Sequence, residues 1–263
     1  MASSNPYKPT AVEILKVINE TADTKTFRLK LSHSPMPGMF YELSLFGYGE
    51  VPISVASYND KYVDFCIRNV GTVTSALHKL SKGDKIYVRG PYGNGYPMQN
   101  FKDKDITIIA GGTGVAPVKG AIEYIEKHKN DYKNIKIFLG YRSYDDILFN
   151  DAIKRWQKNF NVAIALDKKD PRWSGSVGVI TKLIKKTRLN PDSVYILCGP
   201  PIMLKFVIQE LKTINVPDEN IYISFERFMQ CGIGKCGHCM IEDKYVCKDG
   251  PVFRYDSAKY LKD

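Results

Sequence analysis

The feature that most constrains the fold is a change of pattern near residue 106. From Ile106 onward, short runs rich in β-branched residues alternate with segments of helical periodicity. Strands that alternate with helices form parallel sheets covered by helices, so this region predicts a doubly wound α/β domain. Strands are expected at Ile106–Ala110, Ile135–Leu139, Val162–Leu166, Val194–Leu197 and Ile221–Phe225. Helices are expected near Pro117–Lys127, Ala152–Phe160, Ile180–Lys186 and Pro201–Thr213.

The residues before Ile106 show short β-rich runs separated by turn residues and indicate an all-β region. Six runs of this kind predict a small antiparallel β-barrel. They lie at Glu13–Ile18, Thr26–Leu31, Met39–Leu45, Pro52–Ala56, Tyr62–Val70 and Lys85–Arg89. The predicted organisation is a barrel over residues 1–98, an α/β domain over 99–222 and a small C-terminal segment over 223–263.

Composition excludes some classes of protein. With 263 residues, 44% of them hydrophobic, the chain has enough apolar surface for two modest cores. No apolar run approaches the ~18 residues that cross a bilayer, so direct membrane insertion is not expected. The net charge of +10 is spread along the chain rather than gathered with aromatic residues, which argues against nucleic-acid binding.

Four of the six cysteines form a C-x4-C-x2-C-x7-C array near the C-terminus. The members of this array are Cys231, Cys236, Cys239 and Cys247. A C-x4-C-x2-C core with a detached fourth cysteine is the ligand order of plant-type 2Fe-2S clusters. Glycines between the cysteines let the chain turn and point amides at sulfur. The array therefore predicts a 2Fe-2S cluster and a role in electron transfer.

Two other uses of four cysteines are alternatives to the cluster. A structural zinc site normally has two C-x2-C pairs, and only Cys236 with Cys239 has that spacing. A disulfide framework needs an oxidising compartment, and the stretch Met1–Pro6 has no apolar export segment. An iron–sulfur site in the cytoplasm is therefore favoured over both.

A glycine-rich turn follows the first strand of the predicted sheet. Its residues are Gly111, Gly112, Thr113, Gly114 and Val115, with Pro117 where a third fingerprint glycine would stand. Such a turn lets backbone amides and a helix N-terminus bind a pyrophosphate. A plain tight turn is the alternative.

Two further segments follow predicted strands, at the edge where open α/β sheets bind ligands. Arg142 and Ser143 could contact a nucleotide, although Ser143 and Asp146 also form an ordinary capping box. Cys198, Gly199 and Pro200 precede the last long helix. A lone cysteine at such a position is more often small core filler than a reactive group.

Several motifs occur together in the order seen in ferredoxin-NADP reductase-like proteins of the iron–sulfur subgroup. They are Pro52–Ser54, Gly71 with Thr74, Gly90–Gly93, Gly111–Pro117, Cys198–Met203 and the terminal cysteines. Three stretches, Tyr48–Ser54, Arg89–Gly95 and Glu226–Cys239 with Val246–Phe253, carry a narrower resemblance. The chain resembles the electron-transfer subunit of anaerobic sulfite reductase and sulfhydrogenase gamma subunits. It is more distantly similar to the dihydroorotate dehydrogenase electron-transfer subunit.

The resemblance implies binding sites for FAD and for NAD(P)H. FAD would lie on the barrel, with Ser54 near flavin N5 as a catalytic residue, beside Pro52 and Ile53. Val51 and Ile53 stand where the family has arginine and tyrosine, so Arg68 is the candidate for the missing positive charge. The remaining contacts would come from Val70, Gly71 and Thr74. Cys198, the second catalytic candidate, would lie by the nicotinamide with Gly199 and Pro200, and NADH is favoured over NADPH.

The function implied is a subunit that passes electrons from NAD(P)H through FAD and the cluster to a catalytic partner subunit, first of all a sulfite reductase. The alternative is the gamma subunit of a sulfhydrogenase, or the electron-transfer subunit of another dehydrogenase. An alternative of another class is a zinc-stabilised nucleotide-binding module. Absorption bands of flavin and ferric sulfide would distinguish the first two from the third.

Overall fold

The computed structural model describes residues 5–32 and 34–261, which form two compact units. The first unit contains the described residues up to Tyr96 together with Phe225–Val252 and Leu261. The second contains Pro97–Ser224 and Phe253–Tyr260. The three predicted domain ranges stay a prediction, because a packing unit does not by itself delimit a cofactor domain. Residues 1–4, used in the export argument, lie outside the described residues.

Six antiparallel strands close into a barrel in the order β1-β2-β5-β4-β3-β6, which confirms the predicted barrel. The strands are β1 (Thr10–Asn19), β2 (Thr24–Leu29), β3 (Phe40–Leu45), β4 (Gly49–Tyr58), β5 (Val63–Arg68) and β6 (Lys85–Tyr92). Phe27, Leu43 and Phe65 are fully buried inside it, and Tyr41 packs edge-on against Phe65. A short helix, α1 (Thr72–Leu77), interrupts the all-β pattern between β5 and β6.

The second unit contains the predicted parallel sheet with helices. Its elements are β7 (Ile106–Gly111), α2 (Val115–Lys127), β8 (Ile135–Tyr141), α3 (Asn150–Asn159), β9 (Asn161–Leu166), β10 (Ser176–Val177), α4 (Ile180–Lys185), β11 (Val194–Cys198), α5 (Pro201–Thr213) and β12 (Ile221–Ser224). Six parallel strands follow the order β10-β9-β8-β7-β11-β12.

The central strand β7 is buried along its whole length, as expected for a parallel strand covered on both faces. Its neighbours are β8 on one side and β11 on the other, so the order of connection reverses at β7. Ligands of open α/β sheets bind at such a reversal, beyond the carboxyl ends of the strands. The loops after β7 and β11 therefore flank the expected nucleotide site.

The C-terminal segment contains β13 (Met240–Ile241), β14 (Lys244–Tyr245), α6 (Val246–Asp249), β15 (Val252–Arg254) and α7 (Tyr255–Ala258). The first two strands form a small hairpin, whereas β15 lies beside β12 as a seventh strand of the large sheet. The sequence did not predict β15, because a strand of three residues is too short to show a period. None of the described helices combines the length and apolar character needed to cross a membrane.

Candidate cofactor and cluster sites

The cysteine array lies on one loop system in the same unit as the barrel. Cys231, Cys239 and Cys247 are buried, while Cys236 is exposed. None of the six cysteines of the chain is in a disulfide. The array thus has three sheltered thiols and one that faces solvent.

Backbone amides point at the sulfurs. The amides of Ile233, Lys235 and Cys236 donate to Cys231 Sγ at 3.5, 3.3 and 3.5 Å. Gly234 N donates to Cys247 Sγ at 3.1 Å, and Gly234 has φ +71°, a conformation that side chains disfavour. Amide donors of this kind stabilise thiolate ligands of iron–sulfur clusters.

These contacts change the acidity of the thiols. Burial acts to raise the pKa of Cys231, but the amide donors of Ile233, Lys235 and Cys236 outweigh it and lower that pKa to about 6. Burial raises the pKa of Cys247 to about 12, and a hydrogen bond with the Cys239 side chain adds to the rise. The amide donors therefore favour the thiolate form of Cys231, whereas burial and Cys239 favour the neutral thiol of Cys247.

The residues present fit an iron–sulfur cluster by donor chemistry. Within the described residues, no three His, Cys, Asp or Glu side chains stand together as a ready metal site. The fit rests instead on four thiols and on the amide donors aimed at them. Thiolates are the ligands that hold Fe-S clusters, and the amides supply the surrounding hydrogen bonds.

A cavity of about 630 Å³ opens beside the array. Cys231 and Cys236 line one wall, and Phe46, Glu50 and Arg89 of the barrel line another. Phe46 is 71% exposed. The exposed cysteine therefore lies on a concave, partly apolar surface.

Arg89 is a site residue that sequence reasoning missed. Its guanidinium donates to the carbonyl of Cys231 although 142 residues separate the two. No spacing rule connects positions so far apart. The only signal was the Arg89–Gly95 stretch itself, which the resemblance noted without a role for the arginine.

The glycine turn after β7 has the form expected of a dinucleotide loop. Gly111 ends β7, and Gly112 has open space where a Cβ would stand, with φ +55°. Thr113 is exposed, and Gly114 is the N-cap of α2. Val115 begins α2, and its amide donates to the carbonyl oxygens of Gly112 and Thr113 within the turn. An anion would therefore use the amides beside it at this helix N-terminus.

The loop after β11 lies against this turn. A Cβ on Gly114 would meet Cys198 O and Gly199 Cα, both at 2.7 Å. Cys198 ends β11 and is 1% exposed, and Pro200 is the N-cap of α5. The structure thus brings the two predicted nucleotide segments together, and the close backbone approach requires glycine at 114.

Arg142 follows β8 and is exposed at the same sheet edge. The neighbouring Ser143 hydroxyl donates to Asp146 Oδ2 at 2.7 Å, but neither side chain caps a backbone amide, so the capping-box alternative is not formed. Arg142 therefore remains the candidate of this segment for a nucleotide phosphate or ribose, and that role stays a prediction.

The predicted flavin residues of β4 differ in orientation. Val51 and Ile53 pack against the barrel core. Because side chains alternate along a strand, Pro52 and Ser54 face the other way. All four are only partly buried. Ile53 thus supports the barrel wall, and contacts of Pro52, Ile53 and Ser54 with flavin stay predictions.

The turn after β5 carries the other flavin candidates. Arg68 is exposed and forms an ion pair with Asp23 at 2.7 Å. Val70 is 72% exposed and Gly71 precedes α1. The Thr74 hydroxyl accepts from the amides of Val70 and Gly71 and donates to Gly71 O, so it holds the turn together.

A closed antiparallel barrel, a parallel sheet with a glycine turn at its reversal and a four-cysteine segment together define a class. The chain belongs to the ferredoxin-NADP reductase-like family of flavin and iron–sulfur electron-transfer subunits. The expected resemblance is thereby confirmed.

Comparisons with known proteins support this membership. Residues 108–209 match the family of oxidoreductase NAD-binding domains, and residues 226–258 match the iron-sulfur cluster binding domain of dihydroorotate dehydrogenase B. The sulfhydrogenase 2 gamma subunit of Pyrococcus furiosus is 39% identical, over 97% of each chain. A probable dihydroorotate dehydrogenase B electron transfer subunit of Methanocaldococcus jannaschii is 36% identical, over 97% of this chain and 93% of the relative.

Among solved structures, a chain of the NADH-dependent reduced ferredoxin-NADP oxidoreductase superposes with a TM-score of 0.77 at 25% identity. The match covers 99% of this chain and 95% of the other. The chain is therefore an oxidoreductase subunit, and the predicted cofactor classes, FAD, NAD(P)H and an iron–sulfur cluster, are confirmed. The two-iron form of the cluster, the individual site residues and the cytoplasmic location stay predictions.

The narrower prediction, a subunit of a sulfite reductase, is not shown by these comparisons. No sulfite reductase subunit stands among the relatives described above, and the alternative, a sulfhydrogenase gamma subunit, has the better support. The prediction of a sulfite reductase subunit rests on motif resemblance alone.

Proposed function

We propose that this chain is the gamma-type electron-transfer subunit of an NAD-linked hydrogenase, moving electrons between NAD(P)H and a catalytic partner in a hetero-oligomer. The observation that carries the proposal is the amide-lined four-cysteine loop packed in the same unit as the barrel. The 39% identity to a sulfhydrogenase gamma subunit over nearly the full length supports the hydrogenase partner.

When bound, the cofactors let a nicotinamide exchange two electrons as hydride with a flavin, which exchanges single electrons with a 2Fe-2S cluster. The chain's own residues position these groups. The turn from Gly111 to Val115 holds the dinucleotide pyrophosphate by amides, and Cys198 is the candidate beside the nicotinamide. Ser54 is the candidate beside flavin N5. Cys231, Cys236, Cys239 and Cys247 ligate the cluster.

Electrons leave or enter the subunit on the side of Cys236. Cys236 is exposed, whereas the other three ligands are buried. The adjoining cavity, with its exposed Phe46, offers apolar area to a partner subunit. The partner would thus approach the cluster from this face.

The experiment is purification of the native complex with its partner under exclusion of oxygen. Iron, sulfide, zinc and flavin are quantified, and cluster reduction by NADH and by NADPH is followed by absorption and by electron paramagnetic resonance. We expect two irons and two sulfides per chain, a signal that forms with NADH, and hydrogen uptake that reduces NAD. The same complex is then supplied with sulfite.

The outcomes separate the candidate functions. Sulfite reduction without hydrogen uptake would replace the hydrogenase by the sulfite reductase that the Glu226–Cys239 motif also resembles. A colourless chain that contains zinc would overturn the redox proposal and favour a zinc-stabilised module. Orotate formation from dihydroorotate would instead identify the dehydrogenase partner.

A further inference from the structure

Arg89 connects the barrel to the start of the cysteine loop. It lies on β6 and is 7% exposed. Its Nη1 donates to the carbonyl oxygen of Cys231 at 2.5 Å, and its Nη2 donates to the carbonyl oxygen of Gln230. One side chain thus binds two consecutive peptide carbonyls at the start of the cysteine loop.

The same guanidinium is fixed on its other side by Glu50. Arg89 Nε donates to Glu50 Oε1 at 2.7 Å, and Nη2 to Glu50 Oε2 at 2.6 Å. Burial acts to lower the pKa of Arg89, but the ion pair with Glu50 and the hydrogen bond with Tyr92 raise it above its usual range. The arginine therefore stays charged beside the loop.

A second carboxyl faces Arg89 from β3. Glu42 is paired in register with Arg89 and is fully buried, and neither of its carboxyl oxygens has a hydrogen-bond partner within the described structure. Burial and the nearby Glu50 raise the pKa of Glu42 to about 8. Glu50 accepts three contacts from the Arg89 guanidinium and Glu42 accepts none, so Glu50 is the carboxylate that pairs with Arg89.

We propose that Arg89 is a positioning residue for the cluster, holding the Gln230–Cys231 peptides on the barrel and placing a fixed positive charge beside the first cysteine ligand. The proposal rests on the proposed cluster site. A planar guanidinium can serve two carbonyls and a carboxylate at once, which an ammonium cannot do in the same geometry. A positive charge near a cluster favours the reduced form and raises its potential.

Three variants separate geometry from charge: Arg89→Gln, Arg89→Lys and Glu50→Gln. Arg155→Gln is the matched control, because Arg155 also pairs with carboxylates but lies on α3 in the other unit. Each full-length holoprotein is assayed for iron, for the midpoint potential of the cluster, and for amide hydrogen exchange across residues 230–236. The exchange measurement is repeated on apoprotein.

In Arg89→Gln we expect amide exchange across 230–236 to accelerate about tenfold or more, because the loop loses the two hydrogen bonds that the guanidinium donates to its carbonyls. The cluster potential shifts to more negative values, since Glu50 is left unbalanced. Arg89→Lys should keep the midpoint potential of the cluster, but its amides across 230–236 should exchange faster than those of the wild type. Glu50→Gln shifts the potential to more positive values. Arg155→Gln changes neither quantity.

Unchanged exchange and potential in Arg89→Gln would overturn the proposal. Equal potential shifts in the lysine and glutamine variants would overturn its charge component. Should Arg89→Gln fail to fold, Arg89→Lys and Glu50→Gln still test geometry and charge separately. A wild-type protein without iron would instead contradict the proposed function, while exchange in the apoprotein still reports on the Arg89 contact.

Discussion

The glycine loop after β7 and the cysteine loop after β12 are held in different ways. Gly114 of the first loop lies directly against the backbone of Cys198 and Gly199, within the carboxyl edge of a buried sheet. The second loop is held by amide–sulfur contacts and by Arg89, which is itself paired with Glu50. Backbone packing needs no ligand, whereas thiols gain most of their stabilisation from the group they bind. The first loop is therefore preformed, whereas the second depends on its cluster and on the contact with Arg89.

The largest expected effect is loss of the cluster in Cys239→Ser. Cys239 is 2% exposed and its Sγ accepts the amide of Cys247 at 3.4 Å. Serine removes a thiolate from the ligand set, so iron and sulfide per chain should fall nearly to zero, measured by chemical analysis and by absorption. Cys66→Ser, a matched change outside the array, should retain both. Full iron content in Cys239→Ser would contradict the ligand assignment.

The next largest effect is expected in the glycine loop. Gly114→Ala should lower the free energy of unfolding by about 3 kcal/mol, the upper end for overpacking, because the atoms met at 2.7 Å are backbone atoms. Gly114 has φ −62°, so alanine brings no torsional strain and the contact alone is tested.

The matched control for this change is Gly71→Ala. Gly71 has φ −158° and nothing within 4 Å of its added Cβ, so stability should change by less than about 0.5 kcal/mol. Chemical denaturation of both variants measures the difference. Equal losses in the two variants would show that the approach of Gly114 to the β11 loop is not close in solution.

The two loops also differ in how far they could be predicted from sequence. Both were located, because glycines after a buried strand and cysteines at ligand spacing are local patterns. The helix Pro201–Thr213 was predicted with the observed bounds, since Pro201 starts it at a position that proline favours.

What the sequence could not provide is contact between distant residues. Arg89 and Glu42 belong to barrel strands, and nothing local indicates that one donates to Cys231 or that the other is buried without a partner. Likewise, α1 and β15 were missed because six and three residues are too few to establish a period. The orientation of Ile53 toward the core followed only from the closed barrel.

The charged contact behind the cysteine loop predicts a dependence on pH. The pKa of Glu42 is about 8 in the folded chain, against an ordinary value of 4.5 in the unfolded chain. Burial is the main cause of the rise and Glu50 adds to it, while the positive charge of Arg89 lowers the pKa. Between pH 4.5 and pH 8 the folded state binds more protons at Glu42 than the unfolded state does. The contribution of Glu42 to stability is therefore largest below pH 4.5. The free energy of unfolding then falls as pH rises, by up to about 1.4 kcal/mol per pH unit.

Glu42→Gln should remove this slope, because an amide stays neutral at every pH of the series. Denaturation from pH 5 to pH 8 measures the effect. Glu13→Gln on the exposed side of β1 is the control and should keep the wild-type slope. Parallel curves for wild type and Glu42→Gln would mean that Glu42 is not held protonated.

The smallest expected effects concern the predicted flavin contacts of the barrel, which involve exposed side chains. Arg68 and Asp23 are both about half exposed, so their ion pair should contribute less than about 1 kcal/mol to stability. If Arg68 binds the FAD pyrophosphate, the Asp23 carboxylate competes with the pyrophosphate for its positive charge. Arg68→Gln should then weaken FAD binding about fivefold, equivalent to about 1 kcal/mol of surface Coulomb energy. Asp23→Asn should strengthen binding, because it removes a competing negative charge beside Arg68. Titration of apoprotein with FAD measures both affinities, and equal affinities in wild type and Arg68→Gln would remove Arg68 from the flavin site.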